Sequence, residues 1–126
     1  MRILACGVEF FETPAFTRHL RSYLTDDEYA TLQSFLAANP EAGEVMPGTG
    51  GFRKLRWNDE RRGKGKRGGL RVIYYFLTSD SQVWLFALFG KAEAADLTPA
   101  QKRQLRMAIA TELQARQRAR QKTKRR

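Results

Sequence analysis

Apolar residues recur at three- and four-residue steps in two early stretches of the chain, then give way to β-branched and aromatic runs. Phe16, Leu20 and Tyr23 (or Leu24) share one helical face behind Thr13-Pro14. There Thr serves as N-cap and Pro fills the first helical position, so a helix is predicted over 14–23. Thr25-Asp-Asp-Glu28 opens a second helix with a capping box whose carboxylates meet the positive end of the helix dipole. Tyr29, Leu32, Phe35 and Leu36 hold the helical period until Asn39-Pro40 ends it. A short strand is predicted at Val8–Phe11, and a loop at 41–51, which contains Pro47 and four glycines. Strands are then predicted at Phe52–Trp57, Leu70–Leu77 and Gln82–Phe89, the last two as a hairpin across Thr78-Ser-Asp-Ser81. Thr98-Pro99-Ala-Gln101 starts a final helix with Leu105, Ile109 and Leu113 in step. The order β-α-α-β-β-β-α predicts a small α+β domain. It combines an antiparallel-dominated sheet, an N-terminal helical hairpin and a C-terminal helix, with helices on one sheet face.

The pattern changes again after residue 115. Seven Lys/Arg occur in residues 116–126 and bulky apolar residues vanish, so a domain over 1–115 and a basic tail over 116–126, frayed or disordered, are expected. That tail is either a solvated terminus or a source of nonspecific phosphate contacts. A second basic segment lies inside the domain. Between Arg53 and Arg71 stand nine Lys/Arg against Asp59 and Glu60, a local charge of +7 within a total of +10. These cations are interleaved with glycines and flanked by two strand-like segments. Cations fixed at that density call for a polyanion, of which nucleic acid is the commonest in a cell.

Other chemistries find little material. His19 is the sole histidine and Cys6 the sole cysteine, which leaves no internal disulfide, no Cys-rich metal site and no Ser-His-Asp or Cys-His arrangement. Cys6 reads as an inert, half-buried residue near a strand start. No metal or cofactor is expected. No apolar run reaches transmembrane length and Met1–Val8 lacks the flanks of a signal peptide, so a cytoplasmic protein with no membrane partner is expected. Gly48-Thr-Gly-Gly51 is either a tight turn that needs positive φ or a phosphate cradle, and it lacks the Gly-Lys-Ser/Thr that follows a nucleotide loop.

Strand alternation sorts the cations. Arg53 shares a face with Leu55 and Trp57, while Lys54 and Arg56 point the other way. Arg71 has the parity of Ile73, Tyr75 and Leu77, and Lys91 that of Val83, Leu85, Ala87 and Phe89. A cation leading an apolar row is costly to bury. Arg71 and Lys91 are therefore either snorkelling edge residues or heads placed in a cleft.

Four ordered segments carry a resemblance. Pro-Gly-Thr-Gly-Gly-Phe-Arg-Lys-Leu-Arg-Trp (47–57), Gly-Lys-Gly-Lys-Arg-Gly-Gly-Leu-Arg-Val-Ile-Tyr-Tyr (63–75), Phe-Gly-Lys-Ala-Glu (89–93) and Asp-Leu-Thr (96–98) resemble the HigB-like branch of the RelE/ParE toxin superfamily. The likeness covers about residues 8–113. It implies a RelE-like fold and a toxin of a type II toxin–antitoxin pair. Such a toxin enters the ribosome and cuts mRNA without a metal, through attack of the 2′-hydroxyl on the adjacent phosphate, and so inhibits translation. The implied partners are the ribosome, mRNA and a cognate antitoxin with a helix-turn-helix DNA-binding domain, through which alone operator DNA is contacted.

On the positions that match the family's basic strands, Arg71 and Lys91 would clamp the phosphate and Lys54 is the candidate for proton transfer. Arg53, Arg56, Lys64, Lys66 and Arg67 would hold RNA backbone. Tyr75 and Phe89 would either stack on a base or pack in the core. The chain has Phe89 where many relatives carry Tyr, and its final helix contains no Tyr or His, so either a lysine carries the base role or the activity is weak or altered. Two other functions fit the same residues: a non-catalytic RNA- or ribosome-binding protein, and a gyrase-inhibiting toxin of the ParE kind.

Overall fold

The computed structural model describes residues 2–5, 7–57, 69–90 and 97–124. Cys6, Lys64, Lys66, Arg67, Lys91 and most of the basic loop after Trp57 lie outside them. The elements run β1 (Arg2–Ala5), β2 (Val8–Glu12), α1 (Pro14–Tyr23), α2 (Asp26–Ala38), β3 (Glu44–Val45), β4 (Arg53–Trp57), β5 (Leu70–Leu77), β6 (Gln82–Gly90) and α3 (Pro99–Lys124). They form two compact units, Met1–Val45 with Phe52–Ala95, and Met46–Gly51 with Asp96–Arg126.

In the first unit a six-stranded sheet has the order β1-β2-β6-β5-β4-β3. All neighbours are antiparallel except β2 and β6, which run parallel with Phe10 opposite Val83. The fold is therefore α+β, as the element pattern predicts, and the sheet is mixed. The parallel pair arises because the chain leaves β2, builds α1 and α2, and returns through the other half of the sheet before β6 is laid beside β2. Two strands escaped prediction. β1 lies in the apolar N-terminal segment, and β3 is a two-residue pairing within the glycine-rich loop.

Both early helices begin as their caps dictate. The Thr13 hydroxyl accepts from the Phe16 amide at 3.2 Å and donates to the Phe86 carbonyl of β6 at 2.7 Å. The α1 start is thus pinned to the sheet. Thr25 and Glu28 complete their reciprocal capping box at 3.2 and 2.8 Å. Phe16, Tyr29, Leu32 and Leu36 from the helices join Phe10, Leu55, Leu70, Val72, Tyr74, Val83, Leu85 and Leu88 in one buried cluster. The sheet face carrying those strand residues is the one that the two helices cover.

Two tyrosine hydroxyls are buried on that side. The Tyr29 hydroxyl donates to Glu12 Oε2 at 2.5 Å, and Tyr74 Oη donates to the Pro40 carbonyl at 2.8 Å. Burial, reinforced by the Glu12 carboxylate, pushes the Tyr29 phenol well above its ordinary value of 10.0. Burial likewise raises Tyr74. A phenol that titrates higher when folded gives stability that is complete below the unfolded value and is lost as pH climbs past it. The unfolding free energy from urea titrations should therefore hold steady up to about pH 10 and fall beyond it, by at most about 1.4 kcal/mol per pH unit for each phenol. Tyr29→Phe should flatten that decline. A decline of equal slope in the variant would remove Tyr29 as its cause.

The second unit joins the loop Met46–Gly51 to α3. Thr98 and Gln101 cap α3 reciprocally, backbone to side chain, at 2.9 and 3.1 Å. Gly48, Gly50 and Gly51 have φ of +80°, +81° and +116°. A Cβ on Gly50 would sit 3.3 Å from both Arg106 Cγ and Ile109 Cγ2. The glycines thus give a left-handed loop lying flush on α3, and the turn reading of this segment accounts for them. α3 continues without a break through Arg116 to Lys124, so the 115/116 boundary suggested by composition falls inside a helix.

Candidate nucleic-acid interface

Cross-strand register decides which cations share a surface. Arg56 stands directly opposite Arg71, and Arg71 directly opposite Phe89 on β6. The adjacent row runs Glu44, Lys54, Ile73 and Ala87 across β3, β4, β5 and β6. Both rows lie on the face turned away from the cluster holding Leu55, Leu70, Val72 and Tyr74. Directly opposed residues have Cβ atoms about 4.5–5.5 Å apart, which brings Arg56 to Arg71. Lys54 stands opposite the buried Ile73 and lies diagonally from Arg71, at roughly 7–8 Å.

A register shift in β6 makes this arrangement. Ile73 is opposite Ala87 while Tyr74 is opposite Leu85, so Phe86 is an extra residue without a cross-strand partner. The bulge reverses the alternation midway along β6. Val83 and Leu85 enter the helix-side cluster, as does Leu88 beyond the bulge. Ala87 and Phe89 move to the Arg71 face. The uniform alternation predicted for Val83, Leu85, Ala87 and Phe89 is therefore broken. The shift brings Phe89 to Arg71.

Each predicted residue has a distinct surrounding. Arg71 is half-buried and its Nη1 donates to the Gly69 carbonyl at 3.1 Å, which turns the guanidinium back along its own strand. Arg56 is exposed and Lys54 half-buried. Among the described residues no carboxylate forms an ion pair with any of the three. Glu44, exposed and directly opposite Lys54, is the nearest acid in register, and nothing in the sequence marked it, because a two-residue strand leaves no pattern. Two opposed guanidinium groups repel one another, a cost of a few tenths to about 1 kcal/mol in an isolated pair, and a bound anion relieves it.

Arg53 faces the other way. Its Nη1 donates to the carbonyls of Gly43 at 2.8 Å and Glu41 at 3.2 Å, and Nη2 lies 3.6 Å from the Glu41 carboxylate. Arg53 therefore ties down the chain after α2 and is not brought together with the other cations. Tyr75 shares the face of Arg71 but lies four residues along, about 13 Å away. Its ring meets Phe52 edge-on at 5.2 Å, and Phe52 in turn meets Phe86 at 4.5 Å. Tyr75 thus belongs to an aromatic cluster, whereas Phe89 offers the half-buried aromatic surface beside the cations. Lys64, Lys66, Arg67 and Lys91 lie outside the described residues.

Among the described residues no group of three or more His, Cys, Asp or Glu side chains is arranged to hold a metal ion. No helix there is long and apolar enough to cross a membrane. No protein-family model matches the chain.

Proposed function

We propose that the chain is the toxin of a type II toxin–antitoxin pair, a ribosome-dependent endoribonuclease that cleaves mRNA and thereby inhibits translation. The observation that carries this reading is the convergence of Lys54, Arg56 and Arg71 on one face of adjacent strands, with Phe89 next to Arg71. The resemblance of residues 47–57, 63–75 and 89–93 to HigB-like toxins supports the same reading.

Phosphodiester cleavage by an internal 2′-hydroxyl needs a proton acceptor, charge stabilisation at phosphorus and a proton for the departing oxygen. The 2′-oxygen bonds to phosphorus as the bond to the 5′-oxygen breaks, leaving a 2′,3′-cyclic phosphate and a 5′-hydroxyl. Negative charge grows on the non-bridging oxygens in the transition state. Arg71, with Lys91 as its partner in the resemblance, would meet that charge with donors already fixed in place. Lys54 would exchange the protons. Arg56 would hold the neighbouring backbone phosphate, and Phe89 would lie against a base. A helix-turn-helix antitoxin would hold the toxin inactive, and the cytoplasm would be the place of action.

The test is translation in vitro with primer extension on the mRNA, followed by analysis of the new 3′ ends. Cuts that require ribosomes and end in 2′,3′-cyclic phosphate are expected. Tight ribosome binding without cuts would establish the non-catalytic reading instead, and inhibition of gyrase without cuts would establish the ParE-like one.

A further inference from the structure

The described part of α3 contains a charge pattern that the sheet site does not use. From Pro99 to Lys124 its sole acid is Glu112, and that carboxylate is held by Arg116 Nε at 2.9 Å. Arg118, Arg120 and Lys122 follow on exposed helix with no carboxylate in the remaining turns. Arg116 and Arg120 are four residues apart, as are Arg118 and Lys122. Like charges at that spacing weaken an isolated helix by about 0.2–0.5 kcal/mol per pair. Cations in a final turn do complement the helix dipole, but that benefit is confined to the last turn. Arg116, Arg118 and Arg120 stand before it.

We propose that this C-terminal stretch of α3 is a second RNA-binding element, a cationic helical rod that touches sugar–phosphate backbone without reading sequence. Charge complementarity selects a polyanion. Composition selects against a membrane surface, since residues 114–124 contain two alanines and no bulky apolar side chain to insert between lipids. The helix is capped and continuous from Thr98, so the cations rise about 1.5 Å per residue along the axis. At about 3.6 residues per turn they form two rows on opposite sides, Arg116 with Arg120 and Arg118 with Lys122. A preformed rod loses little conformational freedom on binding, unlike a disordered tail. This rod shares with the proposed toxin site only the class of ligand, and it requires no cleavage.

The experiment measures affinity for a fluorescent single-stranded RNA across a salt series, with the full-length protein and its Arg118→Gln/Arg120→Gln/Lys122→Gln variant. Removing one cation from a phosphate should reduce the slope of log affinity against log salt by about 0.7, hence by about 1.4 if the Arg118/Lys122 side alone is engaged and by about 2 if the strand also reaches Arg120. Circular dichroism should show equal or greater helix content in the variant, which separates lost charge from lost fold. The same comparison in an Arg71→Ala background should give the same change in slope, whether or not the wild-type protein cuts RNA. An unchanged slope would overturn the proposal. So would loss of binding to phosphatidylserine vesicles in the variant with RNA binding intact.

Discussion

On the proposed function, replacing Arg71 with alanine is expected to slow ribosome-dependent cutting of mRNA by about 10²–10³-fold, the usual effect of removing one preorganised charge donor from a reacting oxyanion. Affinity for the ribosome should fall far less, because the phosphate gains most of its extra charge only on the way to the transition state. The geometry supports that division. Arg71 is half-buried in the middle of a six-stranded sheet, flanked in register by Arg56 and Phe89, and oriented by the Gly69 carbonyl. Arg56 is exposed at the same level, so Arg56→Ala should chiefly weaken binding and lessen its salt dependence. Arg71→Lys should restore charge without the planar fork, and so recover only part of the rate. Single-turnover cutting and ribosome co-sedimentation, measured on the same variants, separate the two effects. Equal losses in both for Arg71→Ala would mean that the patch binds and does not catalyse.

Much of this patch could be read from alternation alone. Lys54 and Arg56 point away from Leu55 because a strand has a period of two, and Arg53 falls on the helix side for the same reason. Alternation says nothing of what Arg53 does there. Its hydrogen bonds to Gly43 and Glu41 depend on where the chain goes after α2, which is a tertiary fact. The Phe86 bulge was equally invisible. Nothing in Val-Trp-Leu-Phe-Ala-Leu-Phe distinguishes an uninterrupted strand from one with an extra residue, since every position is apolar or aromatic. The bulge is fixed by interactions from elsewhere, with Thr13 donating to the Phe86 carbonyl and Phe52 packing on its ring.

The helices were legible because their signals are local. Thr13-Pro14, the Thr25–Glu28 box and Thr98–Gln101 each cap a helix with atoms three residues apart. The last eleven residues carry two opposed signals. Scarcity of bulky apolar residues points to a frayed end, yet Ala, Arg, Gln and Lys are all good helix formers, and α3 runs on to Lys124. Composition describes what a segment lacks for a core. It does not set where a capped helix stops.

Gly43→Ala is expected to destabilise the protein by about 3 kcal/mol, combining overpacking with strained buried hydrogen bonds. Gly43 does not have a positive φ; space is what requires it. A Cβ there would lie 2.9 Å from Tyr74 Cε1, 3.0 Å from its hydroxyl oxygen and 3.1 Å from the Lys54 carbonyl. Tyr74 is fully buried and cannot swing aside, and the Lys54 carbonyl is part of β4. Relief must come from moving the 40–43 segment, which breaks the bond from the Gly43 amide to Tyr74 Oη at 2.9 Å and disturbs the carbonyls held by Arg53. Tyr74→Phe removes the hydroxyl alone and leaves that amide and the Pro40 carbonyl unpaired, a loss of about 1–3 kcal/mol. Both substitutions attack one junction, so the double variant should lose less than the sum of the singles. Urea unfolding of the four proteins measures this directly, and strict additivity would show that Gly43 and Tyr74 act separately. The junction also bears on the cationic face. The backbone atom that crowds Gly43 belongs to Lys54, so Gly43→Ala should shift Lys54 relative to Arg71 and lower cutting even at temperatures where the protein remains folded.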